Sequence, residues 1–234
     1  METALKKFVK KLKIEDIDLD NLKLALTHPS FTKESGENKL LSYERLEFLG
    51  DAVLKLASSK YLYEKYPDYS EGILTKIRSY IISDEVLSEF AKKLGFSDVI
   101  LLSKTEKKAG GADNTSILAC AFESVLGAIF LTYGLDFCCK YLEKIYKKKI
   151  IYTVENLDDL NPKANLQEWL QGHGKPLPEY KIINETGPAH KKIFECEVSV
   201  EGQVYATATA NSKKKAQSEA ARLAYLKLEK NLEQ

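Results

Sequence analysis

Three carboxylates crowd one short stretch of the chain, Glu44-Arg45-Leu46-Glu47-Phe48-Leu49-Gly50-Asp51. On a helix turning about 100° per residue, with Glu44 as origin, Glu47 falls at about 300° and Asp51 at about 340°. The three acids share an arc of about 60°. Leu46, Leu49, Val53 and Leu56 fall on the opposite side. One face is therefore apolar and the other is a cluster of negative charge. Like charges four residues apart destabilise a helix by roughly 0.2–0.5 kcal/mol per pair, so something should offset them. A divalent cation would do so, because Mg²⁺ is held by one or two carboxylates together with water and substrate phosphates. An acidic, solvated face partly neutralised by Arg45 or a distant lysine is the other reading that this spacing allows.

Glu123 adds a second observation, since no other charge occurs between Ile117 and Leu131. A lone buried carboxylate costs several kcal/mol unless it is paired or bound to a metal. An internal lysine or arginine could satisfy it. Equally, it could be a further ligand facing the Glu47/Asp51 helix. A hydrated Mg²⁺ at such a place activates water for in-line attack on a phosphodiester and stabilises charge on the phosphate oxygens.

A different chemistry is written near the C-terminus, where Ser212-Lys213-Lys214-Lys215 opens a helical pattern. Helix N-termini favour acids, so three lysines there are misplaced for stability. Either that turn is simply solvated, or an external anion supplies the missing charge, as phosphates do at helix N-termini. Between Asn161 and Gln234 there are eleven Lys/Arg against nine Glu, so it is the clustering that counts. Upstream, Gln167 and Glu168 stand beside Trp169 and Leu170, and the loop Thr186 to Lys192 ends in base. A helix, a loop and a lysine cluster, spaced apart, suit successive grooves of A-form RNA, which is read by shape through phosphates and 2′-hydroxyls. His190 in that loop carries little weight alone.

The elements that must position these groups fall into two blocks. From Leu5 to about Tyr152 apolar residues recur at three- and four-residue spacing, as in Val86, Leu87, Phe90, Ala91 and Leu94, so residues 1–152 read as an all-α domain. Residues 153–160 are polar and read as a linker. Residues 161–234 read as an α-β-β-β-α domain: a short helix over about Ala164–Gln171, strands at Tyr180–Ile183, Ile193–Val200 and Val204–Ala210, and a closing helix over about Lys213–Leu232. The turn Glu201-Gly202-Gln203 separates the last two strands.

Composition constrains the rest. A 44% apolar share supports a buried core, and a formal net charge of +1 gives no global sign of a nucleic-acid partner. Cys120, Cys138, Cys139 and Cys196 show no zinc-ligand spacing and read as reduced thiols of a cytoplasmic protein. The N-terminus lacks the apolar core of a signal peptide. The run Ile117–Leu131 contains Glu123 and is too short to span a bilayer, so no membrane segment is expected.

Several of these residues resemble one family. Tyr43-Glu44-Arg45-Leu46-Glu47-Phe48-Leu49-Gly50-Asp51-Ala52-Val53-Leu54 is similar to the signature of the ribonuclease III nuclease domain. Leu24 to Ser30, Glu71-Gly72 through Lys76-Ile77-Arg78, and Ile117-Leu118-Ala119 with Phe122-Glu123 resemble its other blocks in the expected order. Residues 161–230 resemble a double-stranded RNA-binding domain, best marked at Gly187-Pro188-Ala189-His190 and Ser212 to Ala216. The resemblance implies a Mg²⁺-dependent endonuclease of double-stranded RNA, with Mn²⁺ as a substitute ion and no organic cofactor. The products would carry 5′-phosphate and 3′-hydroxyl ends with short 3′ overhangs, cut from ribosomal RNA precursors and structured messages. It implies a homodimer with Phe48 at the interface. Glu47, Asp51 and Glu123 would hold the metal, with Asp51 and Glu123 most needed for cleavage. Glu44 and Glu71 would position RNA, and Gln167, His190, Lys213, Lys214 and Lys215 would touch it.

One position departs from the family pattern. Where Ile-Leu-Ala-Asp is usual, this chain reads Ile117-Leu118-Ala119-Cys120. Cys120 precedes Glu123 by one helical turn, so it occupies a metal-site position with a thiol that Mg²⁺ disfavours. That leaves a second reading, a double-stranded-RNA-binding protein with lost or weakened cleavage. A third, a helical protein with a structural Ca²⁺ site, does not account for the second domain.

Overall fold

The computed structural model describes residues 2–36, 38–157, 162–188 and 192–230. These form two compact units, Met1–Val154 and Glu155–Gln234.

The first unit is helical: α1 (Glu2–Leu12), α2 (Leu19–Ala25), α3 (Pro29–Ser35), α4 (Glu44–Lys65), α5 (Glu71–Ile81), α6 (Asp84–Leu94), α7 (Lys104–Lys108) and α8 (Thr115–Glu155), with short 3₁₀ turns at Lys39–Leu41, Phe96–Asp98 and Gly111–Asp113. The starts follow capping chemistry. Asp18 accepts from the backbone N–H groups of Asp20 and Asn21, Ser70 from that of Ile73, and Ser103 from that of Glu106. α6 stops at Gly95, which adopts the left-handed conformation (φ 86°) that glycine enters without strain.

The core of this unit includes Phe8, Leu22, Leu26, Leu54, Leu62, Ile77, Ile81, Leu87, Phe96, Leu118 and Tyr146, each at most 2% exposed. α8 passes through it, burying Leu118, Ala119, Ala121, Phe122, Val125, Leu126, Ala128 and Ile129 in its first half. By length and apolar composition α8 would also be long enough to cross a membrane, which differs from the short run expected from the sequence. Its burial in the core accounts for that apolarity, and the chain breaks helical geometry at Gly134 (φ 77°, ψ −179°). α8 also continues through Glu155, so helix occupies the first residues of the segment expected to be linker.

The second unit contains α9 (Pro162–Gly172), β1 (Glu179–Thr186), β2 (Ile193–Val200), β3 (Gln203–Ala210) and α10 (Lys213–Lys230). The sheet is antiparallel in the order β1-β2-β3. β1 runs on past Ile183 to Thr186 through a register shift between Ile182 and Asn184, where the sequence pattern shows only four residues of strand. Val200 pairs with Gln203, and the two residues between, Glu201 (φ 52°) and Gly202 (φ 77°), have the paired positive φ of a tight hairpin turn. Leu166 and Leu170 of α9, Val198, Val200 and Ala208 of the sheet, and Ala220, Ala221, Ala224 and Leu228 of α10 make a separate core. Alanines at three of these positions let α10 lie close on the sheet.

Candidate active site

Glu44, Glu47 and Asp51 lie on the first two turns of α4, as helical spacing requires. Glu123 reaches them because α4 and α8 touch backbone to backbone. A Cβ added to Gly50 would lie 1.7 Å from the carbonyl oxygen of Glu123, and one added to Gly127 would lie 2.3 Å from that of Leu46. Only glycine permits this crossing, since real Cβ atoms essentially never come within 3.0 Å. The contact places Glu123 beside the acidic face of α4 rather than facing apolar side chains.

The N-terminus of α4 is fixed by the segment before it. The Tyr43 N–H donates to the Thr27 carbonyl at 2.8 Å, and the His28 ring meets the Tyr43 ring edge-on at 5.5 Å. Thr27 is held in turn by a parallel bridge to Leu101, where the Leu101 N–H donates to the Leu26 carbonyl at 2.8 Å and the His28 N–H to the Leu101 carbonyl at 3.0 Å. On the other side, Ser124 Oγ donates to the Tyr43 carbonyl at 3.4 Å. The block Leu24–Ser30 is thus a scaffold for α4.

The electrostatics follow from this packing. Burial, and then the charges of Asp51, Glu47 and Asp84, raise the Glu123 carboxyl to about 7. Burial also raises Glu47, with Glu44, Asp51 and Asp84 adding to the effect. Lys55 acts against this: it pairs with Asp51 at 2.7 Å and lowers the proton affinity of Glu123. Behind Glu123, the fully buried Tyr146 hydroxyl has no hydrogen-bond partner, and its proton affinity is raised by burial and by Glu123. Burial, and then Glu47, push the Cys120 thiol up to about 12, so it is neutral at physiological pH.

The donor set fits a hard dication. It is rich in carboxylate oxygen, short of cations, and its one sulfur is protonated. Among the described residues no group of three or more His, Cys, Asp or Glu side chains lies close enough together to hold a metal ion. Mg²⁺ needs only one or two carboxylates, with water and substrate phosphates completing its shell.

The other expected residues are placed as follows. Glu44 accepts from Ser42 Oγ at 3.1 Å and adds its charge to Glu47. Glu71 starts α5 and accepts from Thr75 Oγ1 at 2.8 Å, lining a different groove with Tyr63, Tyr66, Tyr69 and Arg78. Phe48 is 81% exposed. In the second unit Gln167 is exposed on α9, and Lys213, Lys214 and Lys215 are exposed on the first turn of α10, where the Lys215 N–H donates to Ser212 Oγ. Lys213 also approaches Glu185 at 3.9 Å and the Phe194 ring at 5.5 Å. His190 lies outside the described residues.

Sequence reasoning missed Asp84, Lys55 and the two glycines. Asp84, which accepts from Ser116 Oγ at 3.0 Å, reads in the sequence as an ordinary first-turn acid behind Ser83 and gives no signal. Gly50 and Gly127 gave one, because glycine within a helical pattern marks a close approach.

A helical unit with an acidic pocket, joined to an α-β-β-β-α unit whose last helix begins with lysines, is the architecture of a two-domain nuclease acting on RNA duplexes. Residues 18–150 match the family described as Ribonuclease-III-like, and residues 162–228 match the double-stranded RNA binding motif. Ribonuclease 3 of Listeria welshimeri is 44% identical over 207 residues, covering 88% of this chain and 90% of that protein. Ribonuclease 3 of Bacillus licheniformis is 38% identical over 97% of this chain and 90% of its own length. A solved nuclease domain of ribonuclease III from Campylobacter jejuni is 37% identical with a TM-score of 0.57, covering 62% of this chain and 96% of that one. The chain belongs to the ribonuclease III family, and it is an endoribonuclease of double-stranded RNA.

Proposed function

We propose that this chain hydrolyses duplex RNA with Mg²⁺ held by Glu47, Asp51 and Glu123, Asp51 and Glu123 being the residues most needed for cleavage. The reading is carried by Glu123, a partly buried carboxylate raised to about 7 by burial and by three neighbouring acids. Held by these carboxylates, Mg²⁺ or Mn²⁺ would supply an activated water and charge neutralisation at the scissile phosphate. The chain's own groups do the rest. Lys55 restrains Asp51, Glu44 lines the pocket, and Glu71 positions RNA from the neighbouring groove. Gln167, His190 and Lys213 to Lys215 hold the duplex.

The active species in this reading is a homodimer. Phe48 stands out from α4 beside Leu40 and Leu131, each more than half exposed, around a groove also lined by Leu24 and Leu49. Such an apolar patch suits a second copy of the chain. The Campylobacter jejuni structure is described as showing flexibility in a region involved in dimer formation. Two centres, one per copy, cut the two strands and leave 5′-phosphate and 3′-hydroxyl ends with short 3′ overhangs. Ribosomal RNA precursors and structured messages are the substrates, and the free thiols suit the reducing cytoplasm.

Cleavage of a long RNA duplex with Mg²⁺, comparing wild type with Glu123→Gln, tests this. The variant should bind duplex as wild type does and cut more slowly by over roughly 100-fold, more than loss of an outer-shell partner causes. A wild type that binds yet cuts no faster than the variant would leave an RNA-binding protein in its place.

A further inference from the structure

A second groove opens along α4 beyond the acidic cluster, enclosing about 680 Å³ between the end of α4 and α5. That lies within the roughly 300–1,000 Å³ of sites that take small organic molecules. Its walls carry three tyrosines. Tyr63 is 75% exposed although its neighbour Leu62 is buried, and Tyr66 and Tyr69 stack on each other with ring centroids 5.2 Å apart. Two groups of opposite charge share the groove. Arg78 Nη1 donates to Ser59 Oγ at 2.8 Å, and Ser59 Oγ donates to the Lys55 carbonyl at 2.7 Å, so the guanidinium is tied to α4. Glu71 stands at the start of α5. Asp51, Lys55 and Ser59 follow at four-residue spacing along one row of α4. At a rise of 1.5 Å per residue that row sets the groove about 12 Å from Asp51.

We infer that this groove holds one unpaired nucleotide of the RNA, its base stacked on Tyr63 and its phosphate met by Arg78, so that the enzyme distinguishes duplexes with an extrahelical base from fully paired ones. Inside a duplex both faces of every base are covered by neighbours, so an exposed tyrosine can stack only on a base that has left the helix. Such stacking tolerates any sequence, because every base has a π-face. Arginine presents five donors in a planar fork, and the bond to Ser59 fixes the position of that fork without filling it, which leaves donors for phosphate oxygens. Glu71 argues for a base over bare backbone. A carboxylate repels phosphate, but it accepts from the N–H edge of a base or from a 2′-hydroxyl. The row from Asp51 to Ser59 keeps this contact beside the acidic cluster, within reach of the same bound RNA.

The inference rests on the proposed role of Glu71 in positioning RNA, and its test reads binding rather than cleavage. Affinity of the full chain is measured in EDTA by fluorescence anisotropy for three RNAs of one sequence: a blunt duplex, the same duplex with a single bulged nucleotide, and the same duplex with a 3′ extension of one nucleotide. Wild type should bind an unpaired form about 5-fold tighter than the blunt one, or more, the low end of what stacking one base is worth. Which form is preferred, bulge or extension, identifies the source of the base. Tyr63→Phe should keep the preference, Tyr63→Ala should bring the ratio of affinities to about one, and Arg78→Gln should lower it. A 2-aminopurine at the unpaired position should lose fluorescence on binding to wild type and to Tyr63→Phe, and keep it on binding to Tyr63→Ala. Thermal unfolding of each variant separates a lost contact from a lost fold, and the ratio is internal to each protein, so a uniform loss of affinity leaves it unchanged. Equal affinity of wild type for all three RNAs overturns the inference, as does a preference that survives Tyr63→Ala. A wild type that shows the preference but does not cleave the blunt duplex with Mg²⁺ would instead overturn the proposed reaction.

Discussion

Glu123 keeps its proton to a higher pH than an ordinary glutamate because folding places it in a half-dry pocket with Asp51, Glu47 and Asp84. The sign of its effect on stability follows. In the unfolded chain the group ionises near its ordinary value of 4.5, and in the folded chain near about 7. Between those values the folded state binds more protons, so this group's contribution falls as pH rises and levels off above about 7. Glu123→Gln removes the titration. It should stabilise the RNA-free protein by about 2–3 kcal/mol at pH 8 and have little effect below pH 4.5, from about 1.36 kcal/mol per pH unit of displacement, lessened because the group is partly open to solvent. Thermal unfolding across this range checks the sign. Added Mg²⁺ should raise the melting temperature of wild type but not of the variant, since the cation takes over the work of neutralising the pocket.

Two helices, α4 and α8, make that pocket by touching at glycine. Gly127→Ala would drive a Cβ to 2.3 Å from the Leu46 carbonyl, so the helices must part. Overpacking of this kind costs about 1–3 kcal/mol or more, which for a chain of this size lowers the melting temperature by roughly 2–4 °C per kcal/mol. Cleavage should fall further, by about 100-fold, because a displacement near 1 Å misplaces Glu123 against Glu47 and Asp51. A variant that melts lower yet cuts as wild type does would show that the crossing serves only packing. At this scale the sequence was legible in one respect and closed in another. The period of 3.6 places Glu44, Glu47 and Asp51 on one face with no knowledge of the fold, since that is a property of a single helix. Which residues oppose that face depends on a helix more than sixty residues later in the chain. Glu123 was visible only because a charge inside an apolar run is anomalous. Asp84 was invisible because an acid in a first helical turn is what any helix would have. Cys120 was noticed as a missing carboxylate, and the burial that raises its thiol comes only from packing.

The whole molecule separates cutting from holding. Each unit has its own core, and the acidic pocket and the lysine-rich turn belong to different units. An acidic pocket repels a polyanion until cations intervene, so in the proposed reading affinity comes from elsewhere, and Lys213 to Lys215 at the start of α10 would supply it. Three lysines at a helix N-terminus are unfavourable for that helix alone. In the free protein Lys213 is partly compensated by Glu185, so part of its attraction to phosphate is gained at the expense of that pair. Changing Lys213, Lys214 and Lys215 together to Ala should therefore leave folding intact, or slightly stabilise it. Duplex binding should weaken, and the slope of log affinity against log salt should fall by about 2–3, close to one for each phosphate no longer neutralised by a lysine. In single-turnover cleavage at saturating RNA the rate should stay within a fewfold of wild type, whereas Glu123→Gln should do the reverse and lose rate with binding retained. If the lysine variant lost its maximal rate as heavily as its affinity, the second unit would be shaping the duplex for the cut as well as holding it, and the two units would not be separable in function.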